Sequence, residues 1–196
     1  MAMMVYAGED KAGMRAITPF RVLAEPIVDM LRPMHYPEIS PPEQGDLHPT
    51  MVAHTMFLDR IDRGVGETIM HYLRSFDVPM RAAQLRVLGG AMARVPNDAT
   101  AFAHRQSRIM VNLAAFYDGR EDRAASQTWI SEFAAALQQD DSGAYVNFLG
   151  DEGQARVRGA YPGPTWDRLR AIKARYDPTN MFHLNQNIPP VNDSSE

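Results

Sequence analysis

The sequence predicts an α+β fold, an antiparallel β-sheet with helices packed on one face. Three observations carry this expectation. Strand-like runs at 84–95 and 107–117 are joined through a polar turn beginning Pro96-Asn97-Asp98, which makes them an antiparallel pair. Residues 121–139 repeat at helical spacing, with Trp129, Ile130, Phe133 and Leu137 on one face. The remaining connections read as hairpins and long crossings, which suit an antiparallel sheet better than a parallel one. At 196 residues the chain has room for one full domain or two small ones.

Taken in order, residues 4–8 read as the end of a strand. A helical pattern follows through Met14, Ile17 and Val22, and Pro19 and Pro26 are expected to stop it. Residues 30–49 are rich in proline and polar residues and predict a long ordered loop, a kind of segment that is often functional or interfacial. Residues 51–57 predict a strand. Residues 66–76 predict a helix with Ile69, Met70, Leu73 and Phe76 on one face. Gly89 and Gly90, inside the run 84–95, predict a bulge or a close backbone approach. Residues 144–148 alternate like a strand and end in an acidic turn, Gly150-Asp151-Glu152-Gly153. Thr165 is placed to cap the last helix, with Pro164 before it and Asp167 in its first turn. Asp177-Pro178 ends that helix, and the tail at 181–190 is expected to be extended.

Composition narrows the chemistry. With no cysteine, disulfides, thiolate nucleophiles and cysteine-rich zinc sites are excluded. That fits a reducing compartment, and a cytoplasmic location is the expectation. A formal charge of −4, with Lys and Arg scattered, argues against nucleic-acid binding. No apolar run approaches the ~18 residues of a membrane helix, and the N-terminus does not read as a signal peptide. The six histidines have no helical zinc spacing, so no metal site is expected. Neither a Walker loop nor a nucleophile elbow is present, and Gly64-Val65-Gly66 reads as a turn. The methionines are expected to fill gaps in the core.

Aromatic and amide groups remain. Tyr145 and Asn147 stand two apart, so a regular strand would put both on one side, with Val146 and Phe148 on the other. Either that side is simply wetted, or the phenol and the carboxamide look into a polar site. Buried, both groups would need partners.

The C-terminal third bears on that choice. "YVNFLGDEG", followed by "AYPGPTWDRLRAIKARYDPTNMFHLNQNIPP", resembles the C-terminal segment of the berberine bridge enzyme-like FAD-linked oxidases. Upstream, "LGGAMARVPNDATAFAHR" resembles that family's Gly-Gly strand and the turn after it. "ITPFRVLAEPIVDMLRPMHYPEIS" resembles the entry to its substrate domain.

The resemblance implies three regions: a partial substrate-binding domain at 1–140, the berberine-type segment at 141–190, and a tail at 191–196. It also implies FAD as cofactor and an FAD-dependent oxidation of an alcohol, sugar or secondary metabolite by hydride transfer to the flavin. Family members carry a larger FAD-binding domain to which nothing here corresponds. The chain is therefore expected to begin within the substrate domain, to need a separate FAD-binding chain or domain, and not to hold FAD tightly alone. By the same resemblance Tyr145 is the catalytic base or substrate anchor, and Asn147, Asn185 and Asn187 lie on the cofactor side. Many relatives have tyrosine where Phe148 stands, some plant members have a catalytic acid on the Gly-Gly strand near the position of Arg86, and an arginine is typical near that of His183. The alternative expectation is a non-catalytic module that forms a homodimer or binds a partner through an exposed sheet edge.

Overall fold

The computed structural model describes residues 1–40, 50–78 and 80–191. They belong to two compact units, Met1–Leu47 and His48–Glu196. The N-terminal unit contains helix α1 (Asp10–Arg21) and a short 3-10 turn, Tyr36–Ile39. Residues 4–8 form no strand. Pro19 lies inside α1 rather than ending it. Proline removes one backbone donor, and here that loss falls in the last turn, where Val22 N still reaches the Thr18 carbonyl at 3.3 Å. The expected loop at 30–49 contains that 3-10 turn, and its part at 41–49 lies outside the described residues.

The second unit is built on strands β1 (Met51–Leu58), β2 (Met80–Val87) and β3 (Ile109–Phe116). They form an antiparallel sheet in the order β1-β3-β2. Helix α2 (Arg63–Ser75) connects β1 to β2, and α3 (Arg120–Leu137) follows β3. Both pack on one face, as the periodicity requires. Val52, Met56 and Leu58 of β1 and Val111, Leu113 and Ala115 of β3 join Ile69, Trp129, Ile130 and Phe133 in one core. Each fully buried side chain of this size contributes roughly 1.5–3 kcal/mol. Asp62 caps α2 by accepting from Val65 N at 3.0 Å. The Trp129 indole N–H donates to the Tyr72 carbonyl at 3.2 Å, tying α3 to α2.

Several expectations need correction. The run 84–95 is not one bulged strand. β2 ends at Val87, and Gly89 and Gly90, with φ of 137° and 59°, turn the chain out of the sheet. Residues 144–148 are not a strand, because Val146–Phe148 forms a 3-10 turn. A short helix, α4 (Gln154–Ala160), follows the acidic turn and was not foreseen. Helix α5 (Pro164–Tyr176) is capped by Gly163 at φ 61°, and Thr165 is buried instead of capping. Among the methionines, Met56 and Met110 are core residues, while most others are exposed.

Candidate functional site

Alternation along the strands leaves a second sheet face without α2 or α3. Two irregular segments cover its β1 side and leave Gln84 and Arg86 of β2 exposed. From the first, His104 stacks on Phe57 with ring centroids 4.5 Å apart. From the second, the 3-10 turn lies beside β1 and reaches across to β2, where the Arg86 guanidinium sits 4.7 Å from the centre of the Phe148 ring. Tyr145 stands between the segments, edge-on to Phe102 at 5.7 Å and tilted against Phe148 at 5.6 Å. Such pairs contribute about 0.5–1.5 kcal/mol each beyond simple burial.

Tyr145 and Asn147 do meet, through the tight turn rather than across a strand. The Asn147 amide donates to the Tyr145 hydroxyl oxygen at 2.9 Å. Tyr145 is half-buried and Asn147 exposed. The turn leaves both groups at the open face, away from the aliphatic core. Beneath them lies a polar pair that sequence reading missed. Thr55 and Asn112 are cross-strand partners, and Thr55 Oγ1 and Asn112 Oδ1 are buried without a hydrogen-bond partner. Gln84 pairs with Asn112 from the other side, completing a polar row over all three strands. Their only sequence signal is the polar residue at an alternate position in an otherwise apolar strand, legible once the register is known.

The turn is held at both ends. On its entry side Asp141 accepts from Gly143 N at 2.7 Å and from the Ser107 hydroxyl at 2.8 Å. Burial holds the His104 imidazole below its ordinary pKa, against the opposing pull of Asp141 and nearby carbonyls. A Cβ at Gly143 would lie 2.3 Å from His104 Cε1 and 2.8 Å from Asp141 Oδ1. Gly143→Ala is therefore expected to destabilise the unit by about 1–3 kcal/mol, read from the denaturant midpoint; an unchanged midpoint would show that the close approach is not needed.

On the exit side Glu152 Oε2 accepts from His54 Nδ1 at 2.9 Å and from Arg156 Nε at 3.2 Å. Arg156 also donates to the Thr55 carbonyl, at 2.5 Å, and to His54 Nε2, at 3.4 Å. An arginine can only donate, so this arrangement places the imidazole proton on Nδ1, facing Glu152. Among the described residues β1 pairs only with β3. The cluster fastens α4 to β1 and covers backbone groups that an open edge would expose.

Asn185 and Asn187 lie in the tail, and no hydrogen bond joins either to Asn147. Asn185 has φ 58°, a backbone conformation that asparagine tolerates better than most residues. The Asn187 side-chain oxygen is buried without a partner. The tail is tied to the turn by Gln186, whose amide donates to the Leu149 carbonyl at 2.6 Å. The "YDPTN" stretch has a structural role: Asp177 accepts from Met181 N at 2.8 Å, Phe182 N at 3.0 Å and Lys173 Nζ at 2.5 Å. Among the described residues no group of His, Asp and Glu is placed to hold a metal. No helix is long and apolar enough to cross a membrane, again among the described residues.

An antiparallel sheet backed by helices on one face and met by an aromatic–amide turn on the other makes this an α+β unit. Residues 144–189 match the family model "Berberine and berberine like". It is 32% identical over 124 residues to the uncharacterized FAD-linked oxidoreductase YgaK of Bacillus subtilis, covering 63% of this chain and 27% of that one. It is 30% identical over 118 residues to the carbohydrate oxidase of Microdochium nivale, covering 55% and 24%. Glycopeptide hexose oxidase DBV29, solved with teicoplanin, superposes with a TM-score of 0.66 at 25% identity, over 77% of this chain and 34% of that one. Berberine bridge enzyme from Eschscholzia californica shares the fold, with a TM-score of 0.61 at 21% identity, over 73% and 33%. The matched region thus spans about a quarter to a third of these relatives' length.

Proposed function

We propose that the helix-free face is the substrate-side wall of an FAD-dependent oxidase that acts on a hydroxyl-bearing sugar or metabolite. The observation that carries this reading is the Asn147–Tyr145 hydrogen bond of 2.9 Å at the open face of the sheet. With Asn147 filling an acceptor site on the phenol oxygen, the phenol's own hydrogen is left to engage a substrate oxygen. A phenolate in the same place could take the substrate hydroxyl proton. The aromatic rings of Phe102, Tyr145 and Phe148 suit the flat body of a sugar ring or flavin. These residues fit the ring portion of a bound FAD, which would supply the two-electron acceptor. In this reading Tyr145 anchors or deprotonates substrate, while Asn147 orients Tyr145. Asn187 has a free acceptor for a group on the cofactor side, and Asn185 turns the backbone that carries it.

A flavin-holding region would have to dock against this unit. Exposed Tyr176, Met181, Phe182 and Leu184 offer it an apolar docking surface at the end of α5 and in the tail. Titrating the labelled chain with lumiflavin, the flavin ring without its dinucleotide tail, tests the reading by NMR. Shifts are expected at Tyr145, Asn147 and Asn112; shifts confined to α2 and α3 would overturn it. Tyr145→Phe should remove the Asn147 bond, cost about 0.5–1.5 kcal/mol, and weaken the binding of hydroxyl-bearing ligands while lumiflavin still binds. Equal affinity of the variant for such ligands would refute the anchoring role.

A second reading has its own observation. Among the described residues β2 pairs only with β3, and Met80, Leu85 and Val87 on it are exposed. A strand from a second copy or a partner could extend the sheet there. Light scattering tests self-association, and a monomer at all concentrations removes the homodimer.

A further inference from the structure

We infer that Arg86 selects a substrate bearing a carboxylate about one ring-width from the hydroxyl that meets Tyr145. The inference rests on the helix-free face being the substrate side. Arg86 occupies an alternate position of β2 on that face, opposite Met110 of β3. It is exposed, and among the described residues its side chain makes no hydrogen bond or ion pair. Arg158 of α4 and Arg175 of α5 also lie over aromatic rings, Trp166 and Tyr176, while other arginines of this unit are tied to protein oxygens. Arg81, on the same strand, donates to the Leu73 carbonyl. Arg105 donates to the Phe102 carbonyl and the Thr100 hydroxyl, and Arg156 holds Glu152.

The face around Arg86 supplies no counter-charge. The alternate positions of the three strands that share it carry no aspartate or glutamate. Of the two acids after the turn, Glu152 is committed to His54 and Arg156, and Asp151 is exposed and makes no ion pair with Arg86. What holds Arg86 in place is the Phe148 ring, 4.7 Å from its guanidinium carbon. Stacking of this kind fixes the cation without consuming its N–H donors. A guanidinium with a planar fork of unused donors matches a carboxylate in two parallel bonds. Phe148 also touches Tyr145, at 5.6 Å between centroids. One aromatic ring therefore separates the group suited to a hydroxyl from the group suited to an anion, which sets the spacing in the substrate class.

The test compares para-hydroxymethylbenzoate with its neutral carboxamide, titrated by NMR into the full labelled chain and into Arg86→Gln and Arg86→Lys variants. Circular dichroism checks that the variants fold, which exposure of the side chain favours. Wild type is expected to bind the benzoate about tenfold more tightly than the amide, with shifts at Tyr145 and Phe148 and a preference that fades as salt is raised. Arg86→Gln should erase the preference and Arg86→Lys restore part of it. Equal binding of both ligands at the face overturns anion selection and leaves the site standing. A preference that persists in Arg86→Gln assigns the anion to another cation and overturns the role of Arg86. Shifts remote from the turn for both ligands overturn the site itself and this inference with it.

Discussion

Phe133→Ala is expected to lower the stability of the His48–Glu196 unit by about 3–5 kcal/mol. Phe133 is fully buried at the contact of α3 with α2 and the sheet. Its ring stacks on Tyr72 at 4.7 Å with a 3° interplanar angle and meets Trp129 at 5.3 Å. Truncation removes these contacts and leaves a cavity bounded by elements that cannot close it, because the sheet register and the Trp129–Tyr72 hydrogen bond hold them apart. A domain of ordinary stability has about 5–15 kcal/mol in total, so the variant should be largely unfolded at modest denaturant. Phe182→Ala is the control. That side chain is 78% exposed, and its loss should move the midpoint by less than about 0.5 kcal/mol. Similar midpoints for the two variants would mean that α3 does not close the core.

The contrast between these two phenylalanines shows where the sequence is legible. Phe133 belongs to a helix long enough for its periodicity to declare the buried face, and β1, β3 and α5 are similarly self-declaring. α4 spans seven residues and fills an edge rather than a core, so no period develops. Pro19 misleads because a proline near a helix end removes a bond that the end can spare. The Tyr145–Asn147 pair misleads differently. A spacing of two brings side chains together in a strand, but a 3-10 turn can do so as well, and Gly143 is the local cue, since its missing Cβ lets the turn lie against His104. Arg86, His104 and the Thr55–Asn112 pair come together only through register and chain crossings, which no local pattern encodes.

Arg156→Ala is expected to cost about 2–3 kcal/mol, less than the ~3–5 kcal/mol of a fully buried ion pair because some water reaches the cluster. Arg156 and Glu152 are 22% and 14% exposed, and Glu152 Oε1 is buried without a partner. Without the guanidinium, the carboxylate would keep only His54, and the Thr55 carbonyl on the edge of β1 would lose its donor. The exit of the Tyr145 turn should then loosen, so the Phe148 and Tyr145 resonances should broaden even where the fold persists. Acid should act in the same direction. Burial works to raise the pKa of Glu152, but the hydrogen bonds from His54 and Arg156 and the Arg156 charge prevail and hold it below its ordinary value of 4.5. A folded-state pKa below the unfolded one gives stability that is complete above about pH 4.5 and is lost as pH falls through the depressed value. Glu152→Gln removes that titration. The stability gap between wild type and Glu152→Gln should therefore be constant near neutrality and close on acidification, as followed by urea unfolding at each pH. A gap that stays constant into the acid range would mean that the carboxylate does not anchor the turn.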